Sequence, residues 1–224
     1  MSIAFDPTIQ TACPELHLGT IRCAVVVEPG SSELWALLDQ TVAQRRAELV
    51  DTTAIAPLPA IRSTRRGYKS CGKDPARYRA SAESLLRRVV QGKGLYRVNN
   101  VVDIINGVSL KSAFSIGGYD AEQIEGPIRL GIGTAEETYL GIGRGRLNIA
   151  QLPVLRDQRG AFGSPTSDSQ RTRIQAHTRH LLLVFFAFGA TETLASATER
   201  ARDYLKRFAS ATAIESQIIK VHAG

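Results

Sequence analysis

Residues Asn99–Asp120 read NNVVDIINGVSLKSAFSIGGYD. The stretch opens as an amphipathic helix. Asn99 supplies a cap, and Val101, Val102, Ile105 and Val108 recur at helical spacing as an inward stripe. Gly107 inside that helix costs about 1 kcal/mol against alanine, so a packing or conformational reason is expected there. The stretch ends in two adjacent glycines, Gly117 and Gly118, followed by Tyr119 and Asp120. A backbone without side chains directly behind an Asn-rich helix can come close to a ligand, and Asn106 can both donate and accept a hydrogen bond.

Upstream, Leu16–Glu28 is rich in β-branched residues and reads as a strand. Pro29-Gly30 breaks it. Ser31 or Ser32 then caps a helix whose buried face is Leu34, Leu37, Leu38 and Val42. Pro57 and Pro59 make residues 52–63 extended or an edge strand. Asp74 before Pro75 is a helix-start signal. Ser81 to Gly92 is a further helix, capped by Ser81, with Leu85, Leu86, Val89 and Val90 buried and Arg87 and Arg88 directed elsewhere.

Downstream of Asp120, short apolar or alternating segments are separated by Gly, Asp and Asn: GPIRLGIG, ETYLGIG, LPVLRD, RTRIQAHT and HLLLVFFAFG. They predict antiparallel strands. A final helix, capped by Thr191, presents Leu194, Ala197, Ala201, Leu205 and Phe208 on one face. Helices precede a block of strands instead of alternating with them, so the expected class is α+β. One domain over residues 1–224 is expected, with room for an N-terminal lobe (1–61) and a motif-bearing lobe (62–224).

The chain has 224 residues and a net charge of +7. Arginine outnumbers lysine 22 to 6, and the arginine fork suits phosphate. Between Arg62 and Arg97 there are eleven Lys or Arg against Asp74 and Glu83 alone. That segment is either a solvated basic face or a phosphate-backbone footprint whose binding weakens with salt. The three cysteines form no C-x-x-C pair, which argues against a disulfide framework or a zinc cluster and points to a reducing cytoplasm. No secretory signal is evident. The longest apolar run falls short of the roughly 20 residues a membrane helix needs.

The glycine-rich GIGTAEETYLGIGRG has no strand-then-helix context for a dinucleotide loop, and strand bends account for its glycines. His177 and His180 are three apart but have no third ligand, so no metal is expected. No nucleophile-elbow motif supports a Ser/His/Asp triad. The loop Phe162–Thr172 (FGSPTSDSQRT) gathers small hydroxyls with Asp168 and Arg171 between two strands. It is either a binding loop or a polar turn in which Asp168 bonds its own backbone.

From about Arg62 to about Thr178, roughly half its length, the chain resembles the B3/4 domain, the editing domain of the phenylalanyl-tRNA synthetase β subunit, and most of all the freestanding B3/4 proteins. The resemblance rests on Asn100-Val101-Val102-Asp103, then Asn106, then Ile116-Gly117-Gly118-Tyr119-Asp120, with matching spacing and no gap. Two positions depart from the bacterial synthetase pattern: a His there is Gly117 here, and a Gly-Gly-Glu-x-Ser turn there is Ser167-Asp168-Ser169 here. No segment resembles the other synthetase modules, so aminoacylation is not expected.

The resemblance implies hydrolysis, in trans, of the ester of mischarged aminoacyl-tRNA, a second sieve where binding alone discriminates poorly. The ester is already activated, so a positioned water and oxyanion donors suffice, with no cofactor. On this reading Gly117, Gly118 and Asn106 are the candidate catalytic residues. Asp168, Ser167, Ser169 and Tyr119 bind the amino acid, Asp168 gripping its ammonium or a hydroxyl. Arg62, Arg65, Arg66, Arg77 and Arg79 hold the tRNA end. Asp103 and Asp120 are structural. The alternatives are an RNA-binding B3/4 module without turnover, and an amino-acid-binding protein that reuses the pocket.

Overall fold

The run His180–Ala187 is buried at every residue after His180. A strand buried on both faces needs a layer on each side. Leu181, Leu183, Phe185 and Ala187 enter one hydrophobic core, and Leu182, Val184 and Phe186 enter a second. The molecule is therefore a helical layer, a central sheet and a second sheet. The structure is a computed structural model, and it describes residues 3–221.

In chain order the elements are β1 (Ile3–Phe5), α1 (Pro7–Ala12), β2 (His17–Ala24), α2 (Ser32–Glu48), α3 (Pro59–Ser70), α4 (Ser81–Val90), α5 (Asn100–Ser112) and β3 (Ser115–Asp120). There follow β4 (Ile128–Ile132), β5 (Thr138–Gly141), β6 (Gly145–Asn148), β7 (Pro153–Asp157), β8 (Gly160–Gly163), β9 (His180–Ala187), α6 (Leu194–Phe208) and β10 (Thr212–Lys220). The central sheet has the order β10-β2-β9-β3 and is antiparallel throughout. The second sheet has the order β1-β4-β7-β8 and is antiparallel except for the parallel β1–β4 pair. Strands β5 and β6 form a separate hairpin. The class is α+β, with helices packed on a mainly antiparallel sheet. Residues 3–61 contribute to both sheets, β1 beside β4 and β2 between β9 and β10.

Local chemistry sets the helix starts. The Ser31 side chain accepts from the Leu34 N–H, and Asn99 Oδ1 accepts from the Val102 N–H at 2.9 Å, so each cap satisfies an orphan donor of the first turn. Gly107 is explained by packing. A Cβ there would lie 2.2 Å from Leu38 Cδ2, so the missing side chain lets α5 close on α2. Asp103 Oδ1 accepts from the Val98 N–H, and Asp120 takes the Glu122 N–H and the Thr178 hydroxyl.

Four elements differ from the sequence expectation. Residues 52–63 are not extended: Thr52–Ala54 form a single 3₁₀ turn and α3 begins at Pro59. Proline suits the first helical position, where its missing N–H is no loss. Asp74-Pro75 starts only a turn, closed by the Tyr78 N–H on Asp74 O. RTRIQAHT is no strand but a 3₁₀ turn at Gln170–Thr172 and irregular chain. Residues 115–120, to which the sequence assigned no element, are a fully buried strand. The α4 cap is Ala80, with no side-chain bond, and Thr191 opens a 3₁₀ turn ahead of α6. Among the described residues no helix is long and apolar enough to cross a membrane, and no group of three His, Cys, Asp or Glu could hold a metal. The three cysteines are free and buried.

Candidate functional site

Strand β3 lies at the edge of the central sheet, beside α4 and α5 and across from the loop that follows β8. In an antiparallel edge strand, N–H groups point alternately toward the neighbour and away from it. The Gly118 N–H points away, and Asp168 Oδ2 accepts it at 3.2 Å. The alternation turns the Gly117 N–H toward β9.

The loop carrying Asp168 is rigidly held. It bridges β8 through Gly163 and Asp168, and the hairpin through Gly141 and Ser169. The Ile142 N–H donates to Asp168 O at 3.0 Å. Inside the loop, Ser164 Oγ accepts from the Thr166 and Ser167 N–H groups, and the Tyr139 hydroxyl donates to Ser167 O at 2.6 Å. A loop fixed this way holds its carboxylate in place before any ligand arrives.

These elements enclose a cavity of about 970 Å³. Leu85, Val102, Ile105, Ile116, Ile142 and Ile174 form its apolar wall. Ser84, Asn106, Ser109, Thr166, Ser167 and Gln175 add polar groups, and among the described residues the Asn106 amide has no hydrogen-bond partner. Among the described residues Asp168 is the only acid on the lining, against six cations: Arg79, Arg87, Arg88, Lys93, Arg144 and Arg173.

Behind that wall sits Glu83, whose side chain is 1% exposed. Arg65 Nη1 reaches both of its oxygens at 3.0 Å, Arg87 Nε donates at 3.2 Å and Arg79 Nε lies 3.9 Å away. A buried carboxylate thus gathers three arginines at one side of the cavity. Arg88 is held separately, donating to Gly94 O at 2.8 Å and to the Tyr96 hydroxyl at 2.9 Å.

The Asp168 carboxyl is pushed up to about 7, chiefly by burial, while the Tyr119 hydroxyl and the Gly118 N–H partly offset this. The residue keeps some surface open to the cavity, but its Oδ1 is sealed and has no partner in good hydrogen-bond geometry. The same holds for the Tyr119 hydroxyl, whose acidity burial lowers strongly, with the Asp168 charge acting in the same direction. A carboxyl raised in this way holds its proton more firmly than a solvated one, and an approaching cation would favour its ionised form.

The structure brings Asn106, Gly118, Ser167, Asp168 and Arg79 onto one cavity. The other sequence candidates lie off its lining. A Cβ on Gly117 would fall 2.0 Å from the Tyr119 hydroxyl oxygen, and one on Gly163 would fall 2.2 Å from it. Both glycines therefore make room for the Tyr119 ring, which is fully buried in the second core and meets Phe162 edge-on at 5.0 Å. Ser169 caps the 3₁₀ turn by accepting from the Arg171 N–H. Arg66 pairs with Glu15, Arg65 with Glu83, Arg77 lies 5.7 Å from the Tyr78 ring centre, and Arg62 is exposed. The sequence reading missed Arg87, Arg88, Lys93, Arg144 and Arg173. Helical spacing opposite Leu86 and Val89 marks the first two as outward-facing. Arg144 and Arg173 carry no local signal.

No curated protein sequence matches the chain. Among solved structures, an N-terminal fragment of the phenylalanyl-tRNA synthetase β subunit from Pyrococcus horikoshii aligns with 97% of this chain at 12% identity and a TM-score of 0.47. The chain spans 50% of that fragment. Residues 63–217, well over half the chain, match the B3/4 domain. The chain belongs to the B3/4 domain family.

Proposed function

We propose that the cavity receives the aminoacylated 3′ end of a tRNA and hydrolyses the ester in trans. One observation carries this reading: a carboxyl raised toward neutrality and an apolar wall share a cavity with six lining cations. An aminoacyl end offers an ammonium, a side chain and a polyanion, and each meets its complement. At about 970 Å³ the cavity has room for more than an amino acid.

In this reading Asp168 takes the ammonium, whose charge draws the proton off the carboxyl. Ser167 lies beside it, and Arg79 with its rim neighbours holds the phosphates. Gly118 contributes indirectly: its N–H orients Asp168 and is not left for an oxyanion. That duty passes to the Asn106 amide, a lining donor with no protein partner, which can steady the developing charge as water attacks. Gly117, Tyr119 and Ser169 shape and brace the site from behind.

The test is release of labelled amino acid from a panel of mischarged tRNAs, Tyr-tRNA(Phe) among them. Turnover well above buffer, reduced in Asn106→Ala, is expected. No release across the panel removes the hydrolase reading. A specific observation favours a second reading, an RNA-binding module without turnover: the Gly118 N–H is taken by Asp168, and Gly117 is paired with Val184 of β9 instead of facing the cavity. Salt-sensitive tRNA binding with no release would single it out.

A further inference from the structure

The mouth of the cavity carries a feature that ester chemistry leaves unused. Tyr96 and Val98, on the loop after α4, are 56% and 60% exposed. Leu140 and Ile142, on the β5–β6 hairpin, are 54% and 46% exposed. Tyr96, Val98 and Ile142 all line the cavity. Single exposed apolar residues need no explanation, but a concentration of them on two segments at one opening points to a partner.

Tyr96 is also oriented in advance. The Arg88 guanidinium lies over its ring at 3.7 Å from the centre, and the same side chain bonds the Tyr96 hydroxyl and Gly94 O. One ring face is thus taken, and the ring's large exposure leaves the other for a ligand. Lys93 and Arg144, both exposed, lie on the same two segments and on the same lining.

Charge selects the occupant. An aromatic face flanked by cations fits a polyanion that carries flat rings it has not already stacked. An unpaired stretch of RNA is such a ligand, whereas a duplex hides its base faces and a peptide has no regular negative charge. We propose that Tyr96, backed by Arg88, is a stacking platform for an unpaired nucleobase, with Lys93 and Arg144 taking the adjoining phosphates. This rests on the RNA reading of the cavity. It adds that the strand leaves over the 91–98 loop and the hairpin, and not along the arginines of α3.

The probe is an unacylated RNA hexamer with 2-aminopurine near its 3′ end, beside a hexamer abasic at that position. Both are titrated into the full chain at two salt concentrations. The base-bearing hexamer should bind about 5- to 150-fold more tightly than the abasic one, the range expected of one stacked base, with quenched fluorescence. Tyr96→Ala should lose that advantage and the quenching yet keep the salt dependence. Tyr96→Phe and Tyr96→Trp should retain both. Equal, salt-sensitive binding of the two hexamers overturns the platform while leaving the RNA reading intact. So does a Tyr96→Ala variant that binds the base-bearing hexamer as the unaltered chain does. Binding of neither hexamer at either salt refutes the platform and the RNA reading together.

Discussion

Replacing Asp168 with asparagine should change how stability depends on pH. The carboxyl sits at about 7 in the folded chain against an ordinary value of 3.8. A carboxyl raised on folding holds its proton more tightly in the folded state, so it favours folding in acid. That stabilisation is fully present below pH 3.8 and is lost as the pH climbs to and through about 7. The span is roughly three pH units, and at about 1.36 kcal/mol per unit the loss is about 4 kcal/mol. The cause is visible in the site: Oδ1 is sealed without a well-placed donor, and the ionised form has only the Gly118 N–H at 3.2 Å and the nearby Tyr119 hydroxyl to replace water.

Asparagine keeps the shape of the neutral acid and cannot ionise. The unaltered chain should therefore lose stability relative to Asp168→Asn by roughly 1 kcal/mol per pH unit from pH ~5 to ~7, with the slope fading as the carboxyl ionises and the difference levelling off above pH ~8. Urea unfolding at each pH provides the measurement, with fluorescence of the sole tryptophan as probe. Trp35 is buried between the helices and reports global loss of the core. Taking the difference between the two proteins cancels the titration of every other group. Parallel stability curves over that pH range would refute the account of a proton held by burial, and with it the idea that a ligand ammonium displaces that proton.

The two adjacent glycines should tolerate alanine unequally. Gly117→Ala drives a Cβ to 2.0 Å from the Tyr119 hydroxyl and 2.5 Å from its ring, inside a fully buried cluster, and should cost about 1–3 kcal/mol or more in urea unfolding. Gly118→Ala meets the far ends of Ile105, Ile174 and Leu183, at 2.5, 3.0 and 3.5 Å, so its cost should be visibly smaller; equal costs would contradict the packing assigned to Tyr119. Glu83→Ala should lower stability by about 1–3 kcal/mol, because it strips the common partner from Arg65 and Arg87, whose partly exposed guanidinium groups can turn to water. A melting temperature unchanged by Glu83→Ala would show that the three arginines do not depend on it.

What the sequence revealed depended on how local each cause was. Asn99 and Ser31 cap helices through bonds three residues long, so both were readable. The face Leu194, Ala197, Ala201, Leu205 and Phe208 is buried as its spacing predicts. Pro59 misled because a proline that opens a helix and one that breaks a strand look alike until the next turn is counted. Strand β10 escaped notice because it is an exposed edge whose partner, β2, lies near the other end of the chain. Gly117 was the subtler case. The sequence shows that no Cβ is present, but the reason is the Tyr119 ring two residues on, on the same face of the strand, with Gly163 making room for it from far along the chain.

The placement of the cavity follows from the sheet. An edge strand exposes backbone donors that must be covered or bonded. Strand β3 is such an edge, and its outward Gly118 N–H is met by a carboxylate from a loop pinned to the hairpin and to β8. Covering the edge with a loop, and not with another strand, leaves space between that loop and the helices α4 and α5. Gly118 adds no side chain to fill it. The group that completes the backbone hydrogen bond is therefore also, among the described residues, the only acid on the cavity lining, which ties the integrity of the edge to the charge a ligand meets. On that argument, a change that frees the Gly118 N–H disturbs both the fold and the site, and the two effects of Asp168→Ala should not be separable, whereas Asp168→Asn should separate them.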